Sequence, residues 1–289
     1  MQTTPLTDAD RRPRRVALGE FDGVHLGHRE VIAGSDTVVT FEPHPRMVIR
    51  PDDPPKLLTT LEAKAELIAE LGVEELVVIP FDERFRSQSP QEFIADVLVG
   101  CLDARHVSVG ENFRFGAGAA GDPALLAADG RFQTRVVRLV EVDGEVVSSS
   151  HIRALVAAGD VEHAARFLGA PFKLLGTVVH GDGRGRELGF PTANIVPDER
   201  LAYPGFGVYA ARAGGACAAV SIGVRPTFGS SLTPLVEAYL LDRDEDLYGR
   251  TLALEFISRL RGERRFDSAA ELVAQMRLDV VRTRELCEG

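Results

Sequence analysis

Gly19-Glu20-Phe21-Asp22-Gly23-Val24-His25-Leu26-Gly27-His28 decides how the first half of this chain folds. The apolar run Val16-Ala17-Leu18 precedes it and Arg29-Glu30-Val31-Ile32 follows, so a strand hands over to a helix here. Glycines at such a turn let the backbone approach a phosphate closely, and a helix start offers unpaired N–H groups to an anion. His25 and His28 add side-chain donors to the first helical turn. The combination suits a site that steadies a nucleotide's phosphates while one of them is attacked. A His-x-x-His pair also serves metals, but zinc wants a further strong ligand, and Asp22 and Glu30 are the only local options.

Strand-like and helix-like segments alternate around this turn. Strands are expected at residues 15–19, 37–41, 75–80, 106–110 and 133–140. Between them, Thr59-Thr60-Leu61-Glu62 opens a helix with Leu61, Ala65, Ile68 and Leu71 apolar, stopping at Gly72. Ser89-Pro90-Gln91-Glu92 opens another that presents Phe93, Val97 and Cys101. The alternation predicts an α/β domain with a doubly wound parallel sheet, whose ligands bind beyond the carboxyl ends of the strands.

Two helical stretches, residues 152–158 and 161–168, lead to Gly169-Ala170-Pro171, which sets the expected boundary between domains 1–170 and 171–289. The rhythm then changes. Short apolar strands at 174–180, 207–213, 218–222, 235–241 and 251–258 alternate with Gly/Pro turns, predicting a small antiparallel β-barrel. A C-terminal helix opens at Ser268 with Leu272, Met276 and Val280 on one face.

The 289 residues carry a net charge of −10, which argues against nucleic acid as a partner. No apolar run approaches a membrane span, and the polar N-terminus matches neither a signal nor a transit peptide. Cys101, Cys217 and Cys287, odd in number and far apart in sequence, read as reduced cytoplasmic residues with packing roles. Of 33 basic residues only Lys56, Lys64 and Lys173 are lysines, so arginine forks, amides and histidines must handle phosphate. Genome base composition is the plain explanation of that usage.

The second half has chemistry of its own. Residues 180–189, Gly181, Arg184 and Gly185 among them, are glycine-rich and basic, although glycines also serve barrel corners. Phe190-Pro191-Thr192-Ala193-Asn194 follows. Thr192 and Asn194 lie two apart, so an extended backbone points both oxygens to one face, and neutral oxygens suit Mg²⁺. Glu237 interrupts Leu235-Val236-Glu237-Ala238-Tyr239, apolar on both strand faces, where a carboxylate needs either an arginine partner or a task as general base.

These motifs together resemble the bacterial bifunctional riboflavin kinase/FMN adenylyltransferase family, also called FAD synthetase. Its adenylyltransferase signatures are matched by the first turn, by Thr40-Phe41-Glu42-Pro43-His44-Pro45, by Gly110-Glu111-Asn112-Phe113-Arg114-Phe115-Gly116 and by Ser148-Ser149-Ser150-His151-Ile152-Arg153. Its kinase signatures are matched by the Pro-Thr-Ala-Asn segment, by Gly-Val-Arg-Pro-Thr-Phe at 223–228 and by Asp246-Leu247-Tyr248-Gly249. The resemblance implies a nucleotidyltransferase domain followed by a riboflavin kinase barrel. Riboflavin plus ATP would give FMN, and FMN plus a second ATP would give FAD and pyrophosphate, with Mg²⁺ as cofactor.

Residue by residue, the resemblance makes Glu237 the base of the kinase, Thr192 and Asn194 its Mg²⁺–ATP ligands, and Gly181 to Gly185 its phosphate wrap. It makes His25 and His28 the adenylyl-transfer residues, with Gly19, Phe21, Asp22, Gly23 and Gly27 around the nucleotide. His44 and Asn112 fall at flavin-facing positions, and Ser148, Ser149, Ser150 and Arg153 at phosphate-holding ones. Two departures stand out. Ser150 replaces a more usual threonine, and only eleven residues separate His28 from Thr40, where the family carries several helical turns. The short segment predicts a sheet face with less cover. Three other readings stand beside the main one: a kinase with an impaired first half, a non-enzymatic flavin or nucleotide regulator, and a nucleotidyltransferase with another small acceptor.

Overall fold

The computed structural model describes all residues except Asp182, Gly183, residues 225–233, Asp244 and Gly289, and no side chain at Arg184, Glu187, Val224 or Pro234. The Arg225-Pro226-Thr227-Phe228 part of one kinase signature therefore lies outside the described residues, as does the expected Arg184 phosphate contact. The chain divides into two compact units, Met1–Ser149 and Ser150–Gly289. Among the described residues no helix is long and apolar enough to cross a membrane.

The first unit is a six-stranded sheet of β1 (Gln2–Pro5), β2 (Arg14–Leu18), β3 (Thr37–Glu42), β4 (Glu75–Pro80), β5 (Ala104–Gly110) and β6 (Gln133–Val137). All pairs are parallel, in the order β1-β4-β3-β2-β5-β6. Successive side chains alternate between faces, so Val16 and Leu18 join one core and Ala17 the other. On the first face lie Phe93, Ile94, Val97 and Leu98. They come from the segment behind the Ser89 capping box, which is wound as a π-helix over Phe93–Cys101. Cys101, expected on the same buried stripe, is only half-buried.

The opposite face resolves the question of the short first helix. That helix runs Leu26–Ile32, seven residues, and buries Val31 and Ile32. Ile68 from the helix Leu61–Ala69 fills the space beside them against Ala17, Val38 and Leu76. The cap of this second helix is Thr60, whose hydroxyl accepts from Ala63 N–H at 3.2 Å, not the Thr59 that the capping-box pattern singles out. A small hairpin of β7 (Glu141–Val142) and β8 (Glu145–Val146) follows the sheet.

The second unit opens with helices Ser149–Ala158 and Val161–Leu168. A closed antiparallel barrel follows, built from β9 (Phe172–Val179), β10 (Ala193–Pro197), β11 (Gly207–Ala213), β12 (Ala216–Val224), β13 (Pro234–Leu240) and β14 (Thr251–Arg261). The strands close in the order β10-β13-β12-β11-β14-β9. Against it lies the helix Ala269–Glu288. Leu272, Met276 and Val280 are only half-buried there; the fully buried stripe is Asp279, Thr283 and Cys287. Asp279 is accommodated in that stripe because Arg261 on β14 donates to it at 3.1 and 2.8 Å.

Candidate functional site

The order of the first sheet reverses at β2: β3 and β4 lie to one side, β5 and β6 to the other. Open α/β sheets bind ligands in the crevice beyond such a reversal. Three expected site segments leave the carboxyl ends of these neighbouring strands. The Gly19–His28 stretch follows β2, Glu42-Pro43-His44 ends β3, and Glu111-Asn112 follows β5. Asn112 is exposed there, its Oδ1 close above Gly110.

The turn after β2 is backbone-specific. Phe21, Gly23 and Val24 all take positive φ, at 52°, 84° and 42°. For the β-branched Val24 this is a costly conformation that only surrounding structure can hold. The Phe21 ring lies over Gly19, where any Cβ would stand only 3.0 Å from it. Asp22, 2% exposed, clamps the turn from below: its carboxylate accepts from Leu58 N–H at 2.9 Å and Thr59 N–H at 3.0 Å. Thr59 returns its hydroxyl to Asp22 Oδ1 and accepts from Gly23 N–H at 3.1 Å. Ser149 reaches the same turn, donating to the Asp22 carbonyl at 3.0 Å.

His25 is the N-cap of the helix rather than a member of its first turn. Its Nδ1 accepts from His28 N–H at 3.2 Å, so the neutral ring carries its proton on Nε2. The two imidazoles stack with centroids 3.5 Å apart, and Phe21 meets His28 edge-on at 5.3 Å. Gly27 permits this, since a Cβ there would crowd the His25 ring at 3.3 Å. His44 also caps a helix: Nδ1 accepts from Arg46 N–H at 3.1 Å, while Nε2 faces Glu20 Oε2 at 2.7 Å. Both ring nitrogens of His44 are thus engaged within the protein. Ser148 is half-buried; Ser150 is exposed and Arg153 half-buried on the helix that opens the second unit.

In the barrel, strand pairing joins residues that are far apart in sequence. Asn194 on β10 stands directly opposite Glu237 on β13, and Glu237 is opposite Ser221 on β12. Paired residues share a face, so these three polar side chains lie abreast. Glu237 is not enclosed by apolar neighbours on both faces, as its sequence context predicts. Val236 and Ala238 turn into the barrel, whereas Leu235, Glu237 and Tyr239 are half-buried on the other face. The alternation of a half-covered barrel strand, invisible in a run of apolar letters, is the reason.

Two glycines complete the arrangement. A methyl at Gly181 would overlap the Asn194 side-chain amide. A Cβ at Gly185 would overlap the Phe190 carbonyl and stand 3.1 Å from Thr192 Oγ1. Backbone and oxygen donors are therefore pressed together in a cradle that only glycine leaves open. Among the described residues no group of three His, Cys, Asp or Glu could hold a metal. Neutral Thr192 and Asn194 oxygens with a nearby carboxylate instead fit a hard cation carried in by phosphates.

The sequence reading missed Thr59, Thr40, Glu20 and Lys64. Their part emerges only from contacts between segments about 20–40 residues apart, such as Thr40 Oγ1 donating to the Glu20 carbonyl at 3.0 Å.

Comparison with known proteins agrees in both units. A family model described as FAD synthetase matches residues 7–151, and one described as riboflavin kinase matches residues 168–287. The bifunctional riboflavin kinase/FMN adenylyltransferase of Bacillus subtilis is 38% identical over 286 residues, covering 91% of this chain and 89% of that protein. Its Escherichia coli K12 counterpart is 37% identical over 298 residues, covering 97% and 95%. Among solved structures, the crystal structure of a macrolide-efflux protein from Streptococcus pneumoniae superposes with a TM-score of 0.90 at 30% identity, covering 98% and 99% of the two chains.

Proposed function

The chain belongs to the bifunctional riboflavin kinase/FMN adenylyltransferase family, and we propose on that premise that it makes FMN and then FAD. Riboflavin is phosphorylated by ATP to FMN, and FMN is adenylylated by a second ATP to FAD with release of pyrophosphate. Residues 171–289 carry the first reaction and residues 1–170 the second. The observation that carries the reading is the register of β10 against β13, which sets Glu237 beside Asn194 next to the glycine cradle.

In the kinase step the ribityl 5′-hydroxyl attacks the γ-phosphate of ATP and ADP leaves. Glu237 accepts the hydroxyl proton, and Gly181 to Gly185 lie along the phosphates. Thr192 and Asn194 hold the Mg²⁺ of the ATP complex. When bound, the ion neutralises charge on the transferring phosphoryl oxygens. Phosphoryl transfer needs mainly positioning and electrostatic stabilisation, which the paired strands supply.

For adenylylation, an oxygen of the FMN phosphate attacks the α-phosphate of ATP while the bond from the α-phosphorus to the bridging oxygen breaks. The His25 tautomer leaves Nε2–H as the donor, and His28 adds a second ring beside it, so both stabilise the crowded α-phosphate. The Gly19, Phe21, Asp22, Gly23 and Gly27 turn seats the nucleotide. Asp22 does so by fixing the turn, since its carboxylate faces Leu58 and Thr59. Ser148, Ser149, Ser150 and Arg153 hold phosphates, and His44 and Asn112 face the flavin. No covalent enzyme intermediate is required, because FMN brings its own nucleophile. The substrates and the three free cysteines fit a cytoplasmic enzyme.

Purified protein incubated with riboflavin, excess ATP and Mg²⁺ tests the reading when flavins are separated by chromatography. FMN appears first and FAD follows. FMN that never proceeds to FAD would favour a kinase with an impaired first half, and no conversion would overturn the enzyme.

A further inference from the structure

Lysine is rare in this chain, with three against thirty arginines, yet a lysine lies buried behind the adenylyl-transfer turn. Lys64 is 5% exposed, one helical turn before Ile68, on the side of its helix that meets the sheet. Its Nζ donates to Thr40 Oγ1 at 3.4 Å, a long contact. The Thr40 hydroxyl passes the connection on, donating to the Glu20 carbonyl at 3.0 Å. Glu20 in turn holds His44 Nε2 at 2.7 Å. The same helix has a second tie to the turn through Leu58 and Thr59, which bind the Asp22 carboxylate just before the Thr60 cap.

Burial pushes the Lys64 pKa below the ordinary lysine value, and the charges of Asp22, Glu42 and Glu20 work against that shift. The other buried cation beside this sheet is an arginine, Arg14, whose planar fork meets Glu75 at 3.0 Å and Asp10 at 2.7 Å. A lysine is a point charge on a flexible stem, suited to serving three carboxylates together.

We propose that Lys64 is a positioning residue for adenylyl transfer, acting through Thr40 and Glu20 on His44. It touches no substrate. The proposal rests on the assignment of FMN adenylylation to the first unit.

The test uses the full chain, with FMN supplied directly for adenylylation and riboflavin for the kinase. Lys64→Met keeps the stem and removes the charge. Its kcat/KM for FMN adenylylation should fall by up to about 10²-fold, as for misplaced reacting groups elsewhere, with KM rising for both anionic substrates. Kinase turnover should stay within about twofold, reporting that the chain is folded. Thr40→Val, which cuts the relay and leaves Lys64 in place, should lower adenylylation in the same direction. Wild-type adenylylation in either variant, or equal loss of adenylylation and kinase turnover, overturns the proposal. A wild type that makes FMN and no FAD overturns the adenylyltransferase assignment itself.

Discussion

Glu237 illustrates what a single residue can and cannot announce. Its chemistry, one carboxylate in an apolar run, is legible in the sequence; its partners are not. Antiparallel pairing places Asn194 and Ser221 on either side of it. Removing the base while keeping the shape, Glu237→Gln, should lower riboflavin phosphorylation by about 10²- to 10⁴-fold, the usual worth of a positioned general base. FAD formation from supplied FMN should continue at the wild-type rate. Chromatography of the two reactions run separately measures both, and parallel losses would remove Glu237 from its assigned role. His25 and His28 show the complementary case. Their spacing is plain in the sequence, but the capping bond that fixes the His25 tautomer follows from the helix beginning at Leu26.

At the level of elements, the helix Leu61–Ala69 does two jobs: it covers the sheet face left open by a seven-residue first helix, and it anchors the turn. Its stability should therefore be felt in both. Thr60→Ala removes the cap and should cost about 1 kcal/mol of stability, read from the urea midpoint of the intact chain. The C-terminal helix supplies a pH prediction. Burial, with the neighbouring Cys217 thiol, pushes Cys287 from 9.0 up to about 12. The unfolded chain thus ionises near pH 9 while the folded chain keeps its proton. The stabilisation is complete below pH 9 and is lost as the pH climbs toward 12. Denaturation midpoints at pH 8, 9 and 10 should fall more steeply for the wild type than for Cys287→Ala; parallel slopes would remove the thiol as the cause.

Legibility at this level follows cooperativity. Glu75–Pro80, Gly207–Ala213 and Val161–Leu168 match the expected segments residue for residue, because their apolar patterns have one buried solution. Gln2–Pro5 went unread. Four residues ending in proline have no strand signal of their own, and they gain one only by pairing along β4. The extended backbone that the Thr192 and Asn194 motif requires is the strand Ala193–Pro197, whose pairing the sequence does not announce. The expected face of Leu272, Met276 and Val280 misses Asp279 and Thr283 in the buried stripe, because the arginine that answers Asp279 comes from β14. Lys64 is hidden for the same reason: its meaning lies in Thr40 and Glu20, which belong to other segments.

For the molecule as a whole, the two reactions consume separate ATP molecules, and most of the residues proposed for each lie in one unit. The turn, His25, His28, His44 and Asn112 belong to Met1–Ser149, whereas Thr192, Asn194 and Glu237 belong to Ser150–Gly289. The simplest chemistry joining them is FMN released to solvent and rebound. That arrangement makes a prediction about mixtures. His28→Ala should make FMN from riboflavin and stop, and Glu237→Gln should make FAD only when FMN is supplied. Mixed in equal amounts with riboflavin, ATP and Mg²⁺, the two variants should make FAD after a lag in which free FMN accumulates, and dilution should lengthen that lag. FMN handed directly from one unit to the other within a chain would leave the mixture far below the wild type however long it runs. A time course of riboflavin, FMN and FAD at two protein concentrations separates these outcomes, because only a solvent intermediate couples the rate of the second step to the bulk FMN concentration.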